Sequence, residues 1–189
     1  MHAPVMGLMA ATPIEDANAT TRALIAKAQR GDGEAFADLV GSHYDLIYRT
    51  AYKWCGNRSD AEDVAQDVCV KLAGILKSFD GRSAFTSWLY RVTLNAVRDM
   101  QRIRMRGNRK VDALMHVTPE DSPPEQEDAV AARQLWAAVR TLPPQQRDAV
   151  LLIYAEDITH AAAAEIMGCK EATVSWHIHE AKKTLRGLL

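Results

Sequence analysis

The chain has 189 residues, a 48% hydrophobic and 6% aromatic composition, and a formal net charge of −1. That length holds one domain or two small ones, the apolar fraction suffices for packed cores, and the near-neutral charge argues against a generic nucleic-acid coat. Cys55, Cys69 and Cys169 lie at no metal-ligand or redox-motif spacing, and their odd number argues against a secreted disulfide framework.

No stretch is apolar enough, over the length that a bilayer demands, to span one. The segment from Met1 to Ala11 lacks the positive start of a signal peptide, so a cytoplasmic protein is expected. Alanine is abundant and no long run of alternating β-branched residues occurs, which predicts an all-α fold.

In chain order, residues 1–18 carry no periodicity and read as a disordered tail. Thr20 or Thr21 then caps a first helix through Leu24, Ile25 and Ala28, stopped by Gly31-Asp32-Gly33. A second helix is predicted from Glu34 to Cys55, with Phe36, Leu39, Val40, Tyr44, Ile47, Tyr48 and Ala51 on its apolar side and Gly56-Asn57 at its end. Ser59 or Asp60 caps a third, running to Leu72, whose first turn holds Glu62 and Asp63 as the helix dipole favours. On it Asp60, Asp63 and Asp67 share one face, and Val64, Val68 and Leu72 another. An acidic ridge of this kind suits a basic helical partner. A carboxylate cluster for a divalent metal, as in a nuclease, and a plain solvated face are the other readings.

From Ser83 to Arg106 one long helix is predicted, with Phe85, Leu89, Val92, Ala96 and Ile103 directed at a core. Arg91, Asn95, Arg98, Arg102 and Arg106 follow at steps of three and four and form a single stripe. Trp88 and Tyr90 lie near its start, just after the segment Phe79-Asp80-Gly81-Arg82. Cations beside aromatic faces are what unstacked nucleic acid needs, because phosphates require charge and exposed bases stack. Seven basic residues and one acid occupy Arg91 to Lys110, whereas Val111 to Ala132 holds six acids and no Lys or Arg. Residues 107–127, with three prolines, read as a flexible acidic linker.

The second domain starts near Asp128, with Val130, Leu135, Trp136 and Val139 on a helix ending at Leu142-Pro143-Pro144. Pro144 opens the next helix, which carries Val150, Leu151, Ile153 and Tyr154. Thr159 then caps a short helix, Ala163 and Ala164 permit close crossing, Gly168 makes a turn, and Val174 and Ile178 are buried on the last helix. That is the layout of a helix-turn-helix, whose second helix reads the major groove. A structural αα-hairpin is the bland alternative. A zinc site from His160, Cys169, His177 and His179 matches no known finger spacing.

Four motifs then fall in one order: Asp60-Ala-Glu-Asp-Val-Ala-Gln-Asp-Val68; Phe85-Thr-Ser-Trp-Leu-Tyr-Arg-Val92 with Asn95 and Asp99; Leu142-Pro-Pro-Gln-Gln-Arg-Asp-Ala-Val150; and Ala164-Glu-Ile-Met-Gly-Cys169 followed by Thr173-Val174. Together they resemble the bacterial sigma factors of the sigma-70 family, extracytoplasmic-function subgroup, over about residues 20–187. The resemblance implies two small helical domains: region 2 at residues 19–106, and region 4 at residues 128–189 with the helix-turn-helix.

It implies that Asp60, Glu62, Asp63, Gln66 and Asp67 face the clamp coiled coil of the largest polymerase subunit. Asn95 and Asp99 would meet the −10 element, a loop around Asp80 to Ala84 would hold a base turned out of the stack, and Arg82, Ser83, Trp88, Arg91, Arg98 and Arg102 would complete that surface. The linker would thread the polymerase near the RNA path, with the flap region as a further contact, and the last helix would read the −35 element. No catalysis, cofactor or small-molecule substrate belongs to such a chain. Its partners would be core RNA polymerase, promoter DNA and an anti-sigma factor.

The reading helix departs from the common pattern. Where many relatives carry a basic residue, a Ser and an Arg, this chain has Ser175, Trp176 and His177, and Ala161 to Ala164 replace larger residues. Ser175, Trp176, His179 and Glu180 are therefore the candidate base readers, with Thr173 beside them, and Lys170, Lys182, Lys183 and Arg186 the candidate phosphate contacts. Glu180 has a second reading, as a surface acid paired with Lys183 or Thr184. A one-component helix-turn-helix regulator is the competing function, and it would bind duplex DNA without polymerase.

Overall fold

Left-handed glycines and asparagine-type caps set the helix boundaries in the first half of the chain. The computed structural model describes residues 13–108 and 127–187. Helix α1 (Pro13–Gln29) starts inside the stretch expected to be a tail and ahead of Thr20 and Thr21. Proline is tolerated there because the first turn has no use for its missing N–H. Gly31, at φ +96°, turns the chain, and the Asp32 side chain accepts from the Ala35 N–H to open α2 (Gly33–Cys55). Gly56, at φ +79°, closes α2.

Asn57, rather than Ser59 or Asp60, caps α3 (Arg58–Ile75). Its Oδ1 accepts from the Asp60 N–H at 2.9 Å while its Nδ2 donates to the Asp60 carboxylate at 2.8 Å. A 3₁₀ turn, Leu76–Ser78, leads into the loop before α4 (Phe85–Asn108). That loop is tied to α1, since Gln29 Nε2 donates to the carbonyls of Leu76 and Phe79 at 3.0 and 2.9 Å.

The first core joins Leu39, Ile47 and Trp54 of α2, Val64, Val68 and Leu72 of α3, and Phe85, Leu89, Leu94 and Val97 of α4. Two residues expected in it are outside: Tyr44 is 41% exposed and Ile103 is 68% exposed. At the level of Ile103 the face of α4 toward α3 is taken by Arg104, which reaches Asp60, so Ile103 turns to solvent.

In the second half, α5 (Glu127–Thr141) leads to α6 (Pro144–Val150), which continues as a π-helical turn over Leu151–Ala155. On this turn Tyr154 is exposed. Thr159 caps α7 (His160–Met167) by accepting from the Ala162 N–H, and Gly168, at φ +68°, makes the bend to α8 (Glu171–Arg186). Ala163, Ala164, Val174 and Ile178 are all buried, so the small residues do let α7 and α8 cross closely. Among the described residues there is no strand, and no helix is long and apolar enough to cross a membrane. Residues 109–126, most of the expected linker, lie outside the described residues, as do residues 1–12 of the expected tail.

The two helical halves also touch. Helix α4 lies on α7, α2 lies on the π-helical turn, and the buried residues of both halves form one continuous cluster.

Candidate nucleic-acid interface

The acids of α3 divide into one inward and several outward residues. Asp60 is 5% exposed, and both its carboxylate oxygens accept from the Arg104 guanidinium. That hydrogen bonding raises the Arg104 pKa, so the guanidinium is held charged. Asp60 therefore leaves the expected docking ridge: its position two residues after the first turn begins points it back at the cap and at α4. Asp63, Gln66 and Asp67 are exposed, Glu62 is half-buried and paired with Arg58 at 2.7 Å, and Asp67 pairs with Lys71 at 3.1 Å. Val70, which sequence reasoning did not single out, is 75% exposed one turn beyond Asp67. The three-residue step from Asp67 was the available signal.

The loop before α4 rests on an aromatic cluster. Phe79 meets Phe85 and Trp88 with ring centroids 5.3 and 5.4 Å apart, and Phe85 stacks on Trp88 at 5.6 Å. Trp88 is thus half-buried support for the loop rather than a free stacking face. Gly81 takes φ +74°, Asp80 accepts from the Arg82 N–H and pairs with its side chain at 2.9 Å, and Ser83 is half-buried.

Along α4, Asn95, Asp99, Arg102 and Arg106 are exposed, with Arg102 paired to Asp99 at 3.4 Å. Arg91 and Arg98 are engaged by the second half of the chain. Arg91 donates to the Glu165 carbonyl at 2.9 Å, and Arg98 donates to the buried Asp148 and, at 3.2 Å, to Asn95 Oδ1. Tyr90, assigned earlier to the vicinity of the stripe, donates to Glu156 at 2.9 Å, and its hydroxyl pKa is pushed well up by burial and then by that carboxylate.

On α8, Val174, His177, Ile178 and Ala181 face inward, while Lys170 just before it and Ser175, Trp176, His179, Lys182, Lys183 and Arg186 are exposed and Thr173 and Glu180 half-buried. Lys182 Nζ stands 5.2 Å over the Tyr154 ring, a cation–π contact with the π-helical turn. The Thr184 hydroxyl donates to the Glu180 backbone carbonyl, and no ion pair among the described residues reaches the Glu180 carboxylate. Because His177 is buried and His179 exposed, the two do not share a face. Among the described residues no three of His, Cys, Asp and Glu are grouped to hold a metal ion. All three cysteines are free and half-buried, and burial pushes the Cys55 thiol up to about 12, with Asp60 adding to it.

The family comparisons fall on these same helices. Sigma-70 region 2 matches residues 39–107 and Sigma-70 region 4 matches residues 132–185. The chain is 30% identical over 187 residues to the RNA polymerase sigma factor CnrH of Cupriavidus metallidurans, covering 93% of this chain and 95% of that protein. This chain is an extracytoplasmic-function sigma factor of the sigma-70 family.

It is a transcription initiation factor that directs RNA polymerase to promoters, and the match to region 2 sets aside the reading as a lone helix-turn-helix regulator. The factor is also 35% identical over 158 residues to the sigma factor SigE of Mycolicibacterium smegmatis, covering 80% of this chain and 60% of that protein. Its fold matches that of RpoE from Bartonella quintana, solved in complex with the anti-sigma factor NepR, with a TM-score of 0.66 and 24% identity over 81% of this chain and 95% of that one.

Proposed function

We propose that the factor docks on core polymerase through the outer ridge of α3, captures the −10 element as a melted strand on residues 80–84 and α4, and reads the −35 element as duplex with α8. The observation that carries this reading is the division of α8: an apolar inner face seated in its own domain, and an outer face of Ser175, Trp176 and His179 left bare. A helix so mounted can enter a major groove without disturbing its core. The docking ridge is Asp63, Gln66 and Asp67, with Val70 adding an apolar contact beside charge suited to a basic coiled coil. Capturing the −10 strand costs a few kcal/mol of unstacking, offset by loop and stripe contacts.

The factor works in the cytoplasm and performs no chemistry of its own. It uses no cofactor or small-molecule substrate. Because RpoE of Bartonella quintana is held by an anti-sigma factor, an anti-sigma factor is assigned to this chain as well.

Docking is tested by replacing both Asp63 and Asp67 with Lys. Binding to core polymerase in a pull-down should be lost while the helical circular dichroism is kept, and unchanged binding overturns the assignment. Strand capture is tested with Asn95→Ala, which should reduce open-complex formation more than closed-complex binding. Equal losses in the two steps would remove Asn95 from the strand surface.

A further inference from the structure

A cavity of about 260 Å³ has polar walls drawn from α2, α3, α4 and α5. Cys55 closes α2, Asn57 and Asp60 open α3, Gln101 and Arg104 lie on α4, and Arg140 lies in the last turn of α5. The C-terminal end of α2 and the N-terminal end of α3 meet there, so their dipoles largely cancel and the field is set by side chains. Asp60 is the carboxylate in this wall, and it is already shared by Arg104 and Asn57. Arg140 makes no ion pair or hydrogen bond with a described residue. Packing holds it instead: its guanidinium lies so close against Gly56 that a Cβ there would stand 2.8 Å from it.

Next to this wall stands Arg147 of α6, which is 7% exposed. It donates to Gln101 Oε1 at 3.0 Å, its Nε makes no hydrogen bond, and no carboxylate among the described residues pairs with it. Burial lowers its pKa despite the pull of Asp148, whose carboxylate is taken up by Trp54 and Arg98. The Cys55 thiol feels both Arg104 and Arg147, yet burial pushes it up to about 12, so at neutral pH it adds no counter-charge. Four cations, Arg98, Arg104, Arg140 and Arg147, are thus set against two acids, Asp60 and Asp148, an excess of two positive charges. A charge withdrawn from water is strongly penalised unless it is paired.

We propose that this cavity is a binding site for a phosphate dianion, free or at the end of a nucleotide, held between Arg104 and Arg140 with Arg147 behind Gln101. An excess of two charges matches a phosphate monoester, which is close to doubly charged at neutral pH, and guanidinium forks fit phosphate oxygens in pairs. Gln101 has its Oε1 engaged by Arg147, which leaves its amide N–H groups to donate. The volume of about 260 Å³ falls just below the range of drug-sized ligand pockets, which begins at about 300 Å³, so a small phosphate compound fits better than a large cofactor. None of Gln101, Arg104, Arg140 and Arg147 is assigned to polymerase or promoter, so the site stands or falls apart from those surfaces.

The test titrates the full chain with inorganic phosphate, and in a second arm with AMP and with GTP, each against sodium chloride at matched ionic strength, by calorimetry and by thermal unfolding. Phosphate should bind saturably and, at about a hundred times its dissociation constant, raise the unfolding midpoint by several degrees. A nucleotide that binds at least about ten-fold more tightly than inorganic phosphate makes the nucleotide the ligand, and equal affinity makes it the free anion. Arg140→Gln should weaken binding about ten-fold, the effect of losing a charge-assisted hydrogen bond. Gln101→Glu keeps the partner of Arg147 and places a negative charge in the wall, so it should lose phosphate binding as well, and it decides the matter if Arg140→Gln does not fold. Stabilisation no greater than in chloride overturns the proposal. So does binding that survives both variants, or that is removed instead by Lys183→Ala combined with Arg186→Ala on α8.

Discussion

Helices α4 and α8 both carry a row of polar and basic residues at helical spacing, yet α8 presents nearly all of its row to solvent, whereas α4 leaves Asn95, Arg102 and Arg106 exposed and gives up Arg91 and Arg98 to the second half of the chain. Helix α8 buries one face, in its own domain, through Val174, His177, Ile178 and Ala181. Helix α4 buries Leu89, Leu94 and Val97 in the first core, sends Arg104 to Asp60 of α3, and sends Arg91 and Arg98 to the second domain. The availability of an arginine for phosphate is therefore set by which acceptors the tertiary fold brings to it, not by its place on the helix.

The strongest way to break the α4 side is Asp60→Ala. It deletes the acceptor of both Arg104 nitrogens and the reciprocal partner of the α3 cap, and because Arg104 can turn to water the expected loss is about 2 to 3 kcal/mol, below the full penalty of a sealed pair. Asp63→Ala, one turn on and exposed, should stay within about 0.5 kcal/mol, and urea unfolding of the two variants reads the contrast. Equal losses would mean that Asp60 is no anchor.

On the α8 side, Glu180→Ala should relax discrimination at one −35 position by about 1 to 3 kcal/mol, as selection of −35 variants with the mutant holoenzyme would report. Lys183→Ala and Arg186→Ala should instead weaken all promoters alike and lower the salt dependence by about one ion each. Lys182→Ala should do so less, because that ammonium already lies over Tyr154. An unaltered base preference for Glu180→Ala would move the reading to Ser175, Trp176 and His179.

The junction between the two sides is sharpened by a double-mutant cycle. Trp54→Phe keeps the ring and removes the N–H that Asp148 accepts, so Trp54→Phe and Asp148→Asn should show a coupling of about 1 kcal/mol, while Asp60→Ala and Asp148→Asn, in separate networks, should add. No coupling in the first pair would show that the indole bond contributes nothing.

The smallest effect is alkaline. The Cys55 thiol titrates from an ordinary 9.0 in the unfolded chain to about 12 in the folded one, because burial disfavours its thiolate. The neutral thiol therefore contributes its full stability below about pH 9 and loses it as pH rises toward 12. Cys55→Ser should flatten the alkaline limb of a stability-versus-pH curve, and an unchanged limb would remove Cys55 as its source.

Much of the second domain was legible residue by residue, because its signals are local. Thr159 caps the helix it begins, Gly168 takes the left-handed bend it was expected to take, and the spacing of Val174 and Ile178 names the inner face of α8. Each depends on residues within a turn of one another, where helix geometry leaves little choice. The acids of α3 were not separable in this way. Asp60, Asp63 and Asp67 look alike at helical spacing, and only the approach of Arg104, 44 residues later, withdraws Asp60 from the surface.

The sequence by itself determined that this protein is helical, that it carries an acidic helix, a cationic helix and a helix-turn-helix in that order, and that the last helix bears Ser175, Trp176 and Glu180, the readers proposed for it. Only the tertiary structure decided which of those charges are free. Periodicity assigns a side chain to a face, but a buried Asp148 captures Arg98 from 50 residues away, and the contacts that satisfy a buried carboxylate follow from packing rather than from spacing.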